Sequence, residues 1–495
     1  MLRTSLNNPG EFTFTYELVP GQSCCGKRIE QLLDFARAAK ADGRIKALSV
    51  TDNPGGNSSL APAAIGEELL KLKIEPLLHF SLKDKNRSQI VSHIYLYQRL
   101  GLRSLLVMGG DFPKPGYYGQ ARPVFDLDST QTLQLMQEMA TGLHPGCILS
   151  QKRPYLRLFK GCVVSPFKAT EAEQVWQYAN LLRKVRAGAD FIVSQLGFDV
   201  RKFAELITLL RRERINLPVL ANVFIPSLGT ARAMAAGKVP GVLLSQELLA
   251  RMEQEAAAGD NHARLDRAAA MIVRLKRYGC QGVHLGGSNL RFEEVSYVLD
   301  RYAQWDQETE LPDLVCDFPL QKTWYFYRKE QGLSQETLLK PGLRRAATKF
   351  PSLSHQLLFS QSLSSRLFGR FCLFCSQGKR RTTVLILLER AIKRLLFNCR
   401  MCGDCTLSRS AFLCPQSGCP KRLINGPCGG SRLGFCEVHP ERLCFWVRVY
   451  ERLDPQTTLK SLAEPPHLPP KDWALEKTSA WINFFKQQRE QEEPR

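Results

Sequence analysis

Short apolar runs alternate with longer amphipathic stretches through the first 310 residues of this 495-residue chain. Short β-branched or apolar runs predict strands, and apolar residues repeating every three to four positions predict helices. The predicted strands are 12–18, 45–51, 74–80, 104–108, 160–164, 190–195, 218–224 and 282–285. The helices predicted between them include 28–41, 87–100, 171–187, 200–213 and 264–278. Eight strands alternating with helices favour an α/β fold, a closed (β/α)8 TIM barrel.

A doubly wound open sheet is the second fold considered. No Gly-x-Gly-x-x-Gly follows the first predicted strand, which counts against a dinucleotide-binding fold of that kind. The barrel is assigned to residues 1–310. An exit segment and a basic helical linker follow at 311–398, with an amphipathic helix predicted at 384–397. A cysteine-rich domain spans 399–454, and a Pro-rich, charged tail with a disordered end spans 455–495.

The cysteine-rich domain holds eight cysteines within 46 residues. They are Cys399, Cys402, Cys405, Cys414, Cys419, Cys428, Cys436 and Cys444. Four thiolates bind one tetrahedral zinc ion or one [4Fe–4S] cluster, so eight are two ligand sets. The spacing includes one tight Cys-x2-Cys-x2-Cys run and a distant fourth cysteine next to proline. This arrangement resembles the cysteine spacing of ferredoxins more than that of zinc ribbons. The spacing therefore favours [4Fe–4S] clusters over zinc.

The cysteine content also bears on the compartment. The chain has 16 cysteines and its N-terminus lacks the apolar core of a signal peptide. Metal ligation in a reducing, cytoplasmic location is therefore expected, and a disulfide framework is the weaker alternative. The chain contains no run of 18 apolar residues, so no membrane span is expected. Cys372 and Cys375 form a further Cys-x2-Cys, which is interpreted as two buried thiols on one helix rather than as extra ligands.

Positive charge is concentrated before the cysteines. Residues 321–398 carry 15 Lys and Arg against 3 Asp and Glu. Such a segment attracts nucleic acid, anionic lipid or an acidic protein. No recognised nucleic-acid motif accompanies the charge, so a nucleic-acid partner is disfavoured.

Polar residues occur where the predicted strands end, which is where a (β/α)8 barrel builds its active site. Any one of them alone is more commonly a cap or turn residue, but the set as a whole indicates a site. The set is Glu17, Thr51, His79, Asp111, Ser165, Gln195, Asn222 and His284.

The runs around these residues resemble the flavin-dependent methylenetetrahydrofolate reductases over about residues 10–305. The matching runs are Phe-Thr-Tyr-Glu-Leu-Val-Pro at 14–20, Ser-Val-Thr-Asp-Asn-Pro at 49–54, and those at 79–87, 109–111, 124–128, 182–189 and 194–199. Cys-Pro-Lys at 419–421 and Asn-Gly-Pro-Cys-Gly-Gly at 425–430 resemble the C-terminal domain found with some bacterial members. Two departures are Gly109, where an Arg is common, and Leu228, where some members have an aromatic residue.

The resemblance implies reduction of 5,10-methylenetetrahydrofolate to 5-methyltetrahydrofolate in one-carbon and methionine metabolism. By position, Glu17 matches the general acid that protonates N10, which requires a raised pKa. Asp111 matches the carboxylate beside flavin and folate that stabilises the iminium cation, and Gln195 matches a pterin-binding amide.

The resemblance further implies a flavin, FAD or FMN, at the barrel mouth. The matching flavin-contacting positions are Thr51, His79, Gly110, Asp111, Asn180, Arg183 and Lys184. NAD(P)H or reduced ferredoxin is the expected electron donor, and a homo-oligomer is expected. Iron–sulfur clusters would make the cysteine-rich domain an electron entry path that an acidic carrier protein feeds, whereas zinc would make it a docking surface.

Two readings from other classes stay open. One is a non-catalytic folate-binding or methyl-transfer partner protein with a zinc docking module. The other is a zinc-dependent nucleic-acid binder that uses residues 346–398. Bound flavin separates the enzyme from both, and a steep salt dependence of binding would mark the nucleic-acid binder.

Overall fold

Eight parallel strands form a closed barrel in this computed structural model, which describes residues 2–142, 156–310, 315–328, 335–336, 339–340, 346–464 and 467–492. The strands are β1 Thr13–Leu18, β2 Ile45–Val50, β3 Glu75–Ser81, β4 Ser104–Met108, β5 Phe159–Val164, β6 Phe191–Ser194, β7 Val219–Ile225 and β8 Gly282–Gly287. The barrel closes between β1 and β8, where Thr13 pairs with Gly282. The predicted α/β barrel fold is confirmed, because each predicted strand overlaps an observed one.

Helices surround the barrel and continue beyond it. Those of the barrel region are α1 Leu2–Leu6, α2 Lys27–Asp42, α3 Pro62–Lys71, α4 Arg87–Leu100, α5 Ser129–Thr141, α6 Glu171–Arg186, α7 Val200–Arg212, α8 Leu228–Ala235, α9 Gln246–Ala257, α10 Ala263–Tyr278 and α11 Phe292–Asp306. Those after it are α12 Ala346–Phe359, α13 Leu363–Ser376, α14 Lys379–Phe397, α15 Pro415–Gly418, α16 Phe445–Tyr450, α17 Leu459–Ala463 and α18 Ala480–Glu492. Two-residue strand pairs join 115–116 to 119–120 and 327–328 to 335–336.

The barrel interior is closed at one end only. Leu2 and Leu6 of α1 pack with inward-facing residues such as Leu77, Phe159 and Phe191 in one apolar cluster. Burying each large apolar side chain contributes about 1.5–3 kcal/mol, so α1 is a stable plug at this end of the strands. The opposite end, where the strands have their carboxyl termini, stays available for a site.

The helices α12, α13, α14 and α18 form a separate helical unit. Its core contains Cys372, Cys375, Leu385, Ile482 and Phe485, all of which are buried. The two cysteines of the additional Cys-x2-Cys therefore lie in an apolar helix contact. The prediction of a disordered end for the run 487–495 is wrong for 487–492, because α18, whose earlier apolar residues pack onto α13, continues to Glu492. Residues 493–495 lie outside the described residues.

The cysteine-rich segment does not fold around a core of its own. The largest apolar cluster of the described residues runs from the barrel into α16 and α17. The ring of Trp446 in α16 meets that of Trp176 in α6 edge-on, with the ring centroids 4.8 Å apart. The expected boundary at residue 399 is therefore a change in composition rather than a break between two cores.

Among the helices of the described residues, none is both long enough and apolar enough to cross a membrane.

Candidate active site at the barrel mouth

The carboxyl ends of the strands surround a cavity of about 400 Å³. Every strand-end residue predicted from the sequence lines this cavity. So do Gly110, Asn180 and Lys184, whereas Arg183 is not among the lining residues. The set at the strand ends is Glu17, Thr51, His79, Asp111, Ser165, Gln195, Asn222 and His284. The parallel register explains this, because the polar residue that follows each apolar strand reaches the same rim.

Glu17 stands between two histidines on the cavity wall. Its Oε2 atom lies 3.8 Å from Nε2 of His79 and 3.9 Å from Nε2 of His284. These three groups bring their ligand atoms within 4.8 Å of one another. Nε2 of His79 is buried and has no hydrogen-bond partner among the described residues. The strand ends therefore present a carboxylate and an unsatisfied imidazole to whatever enters the cavity.

The pKa of Glu17 departs from the sequence-based expectation. Burial favours a raised pKa, but interactions with His284 and His79 outweigh it, and the pKa lies below its ordinary value. Burial lowers the pKa of His79 to about 4, with Glu17 acting in the opposite direction. The expected raised pKa of Glu17 is therefore not found, because two imidazoles rather than apolar side chains surround the carboxylate.

The ring of His284 is oriented by a neighbouring threonine. Nδ1 of His284 lies 2.8 Å from Oγ1 of Thr15, and that hydroxyl donates to the carbonyl of Val283 at 3.3 Å. Because the hydroxyl proton is engaged there, the Thr15 oxygen accepts the Nδ1 proton. Nε2 of His284 then faces Glu17 and, at 3.4 Å, the hydroxyl of Ser49. This arrangement leaves Nε2 available to share a proton with Glu17.

The turn after β4 holds Asp111 at the rim. Gly110 has φ +84°, and a Cβ atom there would lie 2.1 Å from Oγ of Ser81, so only glycine fits. Oδ2 of Asp111 accepts a hydrogen bond of 2.8 Å from the backbone N–H of Gly55. The carboxylate is thereby fixed at the cavity edge.

The polar face of α6 is bonded to the cysteine-rich segment. Nδ2 of Asn180 donates to the carbonyl of Pro427 at 3.3 Å. The guanidinium of Arg183 donates to the carbonyls of Asn425, at 2.8 Å, and Leu462. Lys184 donates to the carbonyl of Val163 at 2.8 Å. The loop 425–431, called the docking loop below, is thus held against α6.

Further contacts fix the docking loop on the barrel. Nζ of Lys168 donates to the carbonyls of Gly429 and Ser431, both at 2.6 Å. Nε2 of Gln177 donates to the carbonyl of Cys428 at 3.0 Å. The ammonium of Lys168 is buried, so its two bonds satisfy a charge that could not remain unpaired. The docking loop is therefore part of the cavity wall.

Lys421 is the site residue that the sequence analysis missed. Its ammonium donates to the carbonyl of Gly110 at 2.7 Å and forms an ion pair with Glu437 inside the cavity. Burial opposes the charge of Lys421, but Glu437, the nearby Cys428 and Asp111 raise its pKa. The Cys-Pro-Lys run at 419–421 contains this lysine, so the sequence did carry a signal for it.

The eight cysteines fall into two groups in space. In the first, the thiols of Cys399 and Cys414 hydrogen bond, and Cys402 lies near Cys405. Lys471 reaches Sγ of Cys402 at 3.2 Å, and Lys393 lies near both Cys399 and Cys405. The second group is Cys419, Cys428, Cys436 and Cys444, whose thiols interact with one another.

The second group lies next to the barrel. Cys428 lines the same cavity as Glu17 and Asp111. In neither cysteine group do three thiols all lie within 4.8 Å of one another, since the triad at Glu17 is the one such cluster of ligand atoms in the described part of the chain. The role of the eight thiols as metal ligands stays a prediction.

The cavity fits the ring end of a flavin. His79 Nε2 and Ser165 Oγ are buried polar atoms without hydrogen-bond partners, as a ligand-binding wall requires. Apolar side chains such as Leu106, Met108 and Val193 line the same space. At the α6 side the fit is partial, because Asn180 and Arg183 are bonded to the docking loop. Lys184 uses one of its three donors on a carbonyl and keeps others for an anionic group.

Two family models match the chain. The model described as "Methylenetetrahydrofolate reductase" matches residues 2–299, more than half of the chain, and the one described as "Methylene-tetrahydrofolate reductase C terminal" matches 379–474. The second match begins within α14, before the first of the eight cysteines.

Two curated proteins are similar to the barrel region. Methylenetetrahydrofolate reductase 1 of Schizosaccharomyces pombe is 23% identical over 307 residues, covering 60% of this chain and 46% of that protein. A probable methylenetetrahydrofolate reductase (NADPH) of Caenorhabditis elegans is 22% identical over 181 residues, covering 36% of this chain and 25% of that protein. The chain thus spans less than half the length of these relatives.

A solved structure from Clostridium thermocellum is also similar. It is described as an uncharacterised protein that binds two copies of 5-methyl-5,6,7,8-tetrahydrofolic acid. It covers 61% of this chain and 98% of its own, with a TM-score of 0.44 and 12% identity. A likeness of this size supports no inference about function. The first family model matches residues 2–299, which include all eight barrel strands. This chain therefore belongs to the methylenetetrahydrofolate reductase family.

Proposed function

We propose that this chain reduces 5,10-methylenetetrahydrofolate to 5-methyltetrahydrofolate with a flavin bound in the barrel-mouth cavity. The observation that carries the proposal is the triad of Glu17, His79 and His284, which shares that cavity with Asp111 and Gln195. An acid, a second carboxylate and an amide are the groups that proton delivery, cation stabilisation and pterin binding require. The family match over 2–299 supports this reading.

Residues of the strand ends would hold the flavin ring, and a bound flavin supplies the hydride. Thr51, His79 and Gly110 line the cavity on the side of β2, β3 and β4. Lys184 and Asn180 line the opposite side, where Lys184 would meet a flavin phosphate. FAD is the proposed flavin and FMN the alternative, although the docking loop engages Asn180 and Arg183.

Glu17 delivers the proton to N10 of the folate. In the ligand-free cavity the histidines keep the pKa of Glu17 low, and its side chain is 24% exposed. Bound ligands cover that surface and remove water, which raises the pKa of a carboxyl group. When its ring carries a proton on both nitrogens, His284 passes the Nε2 proton to the carboxylate and keeps the Nδ1 proton hydrogen bonded to Thr15. Glu17 is therefore the acid and His284 its proton partner.

Asp111 and Gln195 act on the pterin side of the substrate. The carboxylate of Asp111, held by the N–H of Gly55, stabilises the iminium cation that forms when the five-membered ring opens. The amide of Gln195 offers a donor and an acceptor to the pteridine edge. Its oxygen also accepts from the N–H of Leu196 at 3.0 Å, which orients the amide.

The cysteines bind two [4Fe–4S] clusters that carry electrons to the flavin. The tight Cys-x2-Cys-x2-Cys run at 399–405, followed by widely spaced cysteines, supports iron–sulfur clusters, in which each thiolate would bind its own iron. Cys428 at the cavity wall places the second group beside the flavin, so electrons enter through the first group.

Anaerobic purification followed by three measurements tests the proposal. We expect a flavin absorbance band near the usual ~450 nm, iron with acid-labile sulfide for up to two clusters per chain, and formation of 5-methyltetrahydrofolate when the flavin is chemically reduced. Flavin without folate turnover would leave a folate-binding or methyl-transfer role, and stoichiometric zinc would remove the electron path. Acid release of the flavin distinguishes FMN from FAD.

A further inference from the structure

The helices α13 and α14 carry positive charge without acidic neighbours at the surface. Residues 363–397 contain eight Lys and Arg and one acid, Glu389. Glu389 is buried and bonded to Lys393 at 2.5 Å and to Ser479. The remaining cations are exposed: Arg366, Arg370, Lys379, Arg380, Arg381, Arg390 and Arg394. Every exposed charged side chain within 363–397 is therefore a cation.

An apolar stripe runs along the outer face of α13. Leu363, Leu367, Phe371 and Phe374 are all more than half exposed, and their spacing of four, four and three places them on one side of a helix. The core residues of α13, among them Cys372, lie on the opposite side. Exposed stripes of this kind, edged by polar residues, mark interaction surfaces.

A second stripe runs along α14. Val384, Leu387, Leu388 and Leu395 are exposed on one face, while Leu385 points into the core. Leu395 is 86% exposed, an unusual position for a large apolar side chain. The guanidinium of Arg381, at the start of α14, lies 4.2 Å from the ring centroid of Phe374 on α13. This contact joins the two stripes.

The second stripe leads to a depression between the two cysteine groups. Leu395 and Leu396 line it together with Cys414 of the first group and Cys436 of the second. The depression has a volume of about 640 Å³, and no carboxylate is among its lining residues. Its cations are Arg394, Arg442, Arg448 and Arg452. The apolar and cationic surface thus ends beside one thiol of each cysteine group.

We infer that the two stripes and this depression form the docking surface for a small acidic electron-carrier protein, such as a ferredoxin or a flavodoxin. The inference rests on the proposed function. Charge complementarity selects the occupant, since an acidic protein matches seven unopposed cations. Apolar side chains give such a complex its short-range attraction. A carrier seated here places its own cofactor beside Cys414 and Cys436.

The electron balance fixes what the carrier does. Two molecules of reduced one-electron carrier are oxidised, and the flavin takes up both electrons with one proton from solvent. The flavin then returns those electrons to the folate as a hydride, and Glu17 gives the second proton to N10. No other oxidant or reductant is needed.

Charge reversal at the docking surface tests the inference. The variant Arg370→Glu/Arg380→Glu/Arg394→Glu changes one residue on α13 and two on α14. Of the two on α14, Arg394 also lines the depression. The matched control, Arg99→Glu/Arg103→Glu/Arg214→Glu, makes the same change in net charge in the α4–β4 and α7–β7 connections, at the end of the barrel opposite the mouth. An acidic [4Fe–4S] ferredoxin is the probe, and its Kd is measured by calorimetry at several salt concentrations.

We expect the docking-surface variant to bind the ferredoxin at least about tenfold more weakly at low salt, because interface charges steer and hold the complex. Its rate of flavin reduction by reduced ferredoxin falls in parallel. The control variant stays within about twofold of the parent. A second variant, Leu367→Ser/Phe371→Ser, weakens binding without changing charge or salt dependence, and its circular dichroism verifies the fold. Equal losses in the docking-surface and control variants would overturn the inference.

Other occupants of the surface give other results. Binding of the parent, but not the variant, to vesicles of phosphatidylglycerol with no effect on ferredoxin binding would assign the surface to a membrane and overturn the inference. A change of oligomeric state in the Leu367→Ser/Phe371→Ser variant would assign it to a second copy of the chain. The protein could reduce the folate when dithionite is the reductant but not when a reduced ferredoxin or flavodoxin replaces dithionite. That result would overturn the docking surface and leave the proposed function intact.

Discussion

The strand ends and the outer face of α6 are both polar walls of one cavity, yet they differ in how their atoms are satisfied. At the strand ends, His79 Nε2 and Ser165 Oγ are buried without partners. On α6, Gln177, Asn180 and Arg183 each donate to a backbone carbonyl of the docking loop. The resemblance implied ligand binding for positions on both walls. On this comparison α6 helps to hold the cysteine-rich segment on the barrel, and ligand binding at the strand ends stays a prediction.

This division has a physical basis. An unpaired buried polar atom costs about 1–3 kcal/mol, and a ligand that bonded His79 Nε2 or Ser165 Oγ at the cavity wall would remove that cost. Arg183 Nε on α6 is also buried and unpaired, so the contrast between the walls concerns the atoms that face the docking loop. Paired atoms cannot bind a ligand without first breaking their bonds. Variants at the strand ends should therefore change the rate of the reaction. Variants on α6 should change how firmly the docking loop is held on the barrel.

The largest effect is expected for Glu17→Gln. The variant should bind flavin and accept electrons normally but reduce methylenetetrahydrofolate about 10²–10⁴-fold more slowly, because a positioned acid contributes that much. Rapid-mixing measurements of the two half-reactions separate these steps. Glu68→Gln, on the outer surface of α3, is the matched control and should retain the parental rate. A parental rate in Glu17→Gln would show that another group protonates N10.

Cysteine replacements compare the two thiol groups. Cys402→Ser should remove the metal of the first group, about half of the total, and destabilise 399–450 while the barrel stays folded, because ligation supplies the stability that a small metal domain lacks. Cys428→Ser should remove the other half and also lower flavin content, since Cys428 lines the cavity proposed to bind the flavin. Metal analysis and flavin absorbance check both.

Cys372→Ser is the control for these replacements. This thiol is buried in the apolar core of the helical unit, so metal content should not change. Loss of metal in Cys372→Ser would make it a ligand and would require a different division of the thiols. Equal flavin contents in Cys402→Ser and Cys428→Ser would contradict the placement of the second group beside the flavin.

The sequence was sufficient for the barrel and for the composition of its mouth. Strand periodicity depends on local pattern, and the rim residues follow directly from the strand ends. The carbonyls to which Asn180 and Arg183 donate lie more than 200 residues away along the chain, so no local pattern could identify them. The helix at 480–492 was missed because its charged residues conceal Ile482 and Phe485, whose burial depends on α13.

Acid stability provides a test of the strand-end wall. The pKa of His79 is about 4 in the folded chain and about 6.5 when unfolded. Between these values the unfolded chain binds more protons, so stability rises with pH across pH 4–6.5, by up to about 3 kcal/mol. The lowered pKa of Glu17 acts in the same direction at the acidic end.

His79→Gln should therefore flatten the pH dependence of the unfolding free energy in this window. Denaturant titrations at pH 4.5, 5.5 and 6.5 measure it. Ser165→Ala, at the same cavity wall, removes no ionisable group and should leave the dependence unchanged. An unchanged slope in His79→Gln would mean that this imidazole is not held neutral by burial.

The smallest effect is expected for Arg183→Ala on the α6 wall. The guanidinium is largely buried, which lowers its pKa to about 10, and it donates to the carbonyls of Asn425 and Leu462. Its loss should lower the free energy of unfolding by about 2 kcal/mol and expose the docking loop to proteases, since hydrogen bonds from charged groups contribute about 1.5–3 kcal/mol. Arg186→Ala, which removes one surface bond to Ala463, should cost less. Flavin content should stay near that of the parent. Loss of flavin with a protected docking loop would instead show that Arg183 serves the cofactor, and the contrast between the two walls would then fail at this residue.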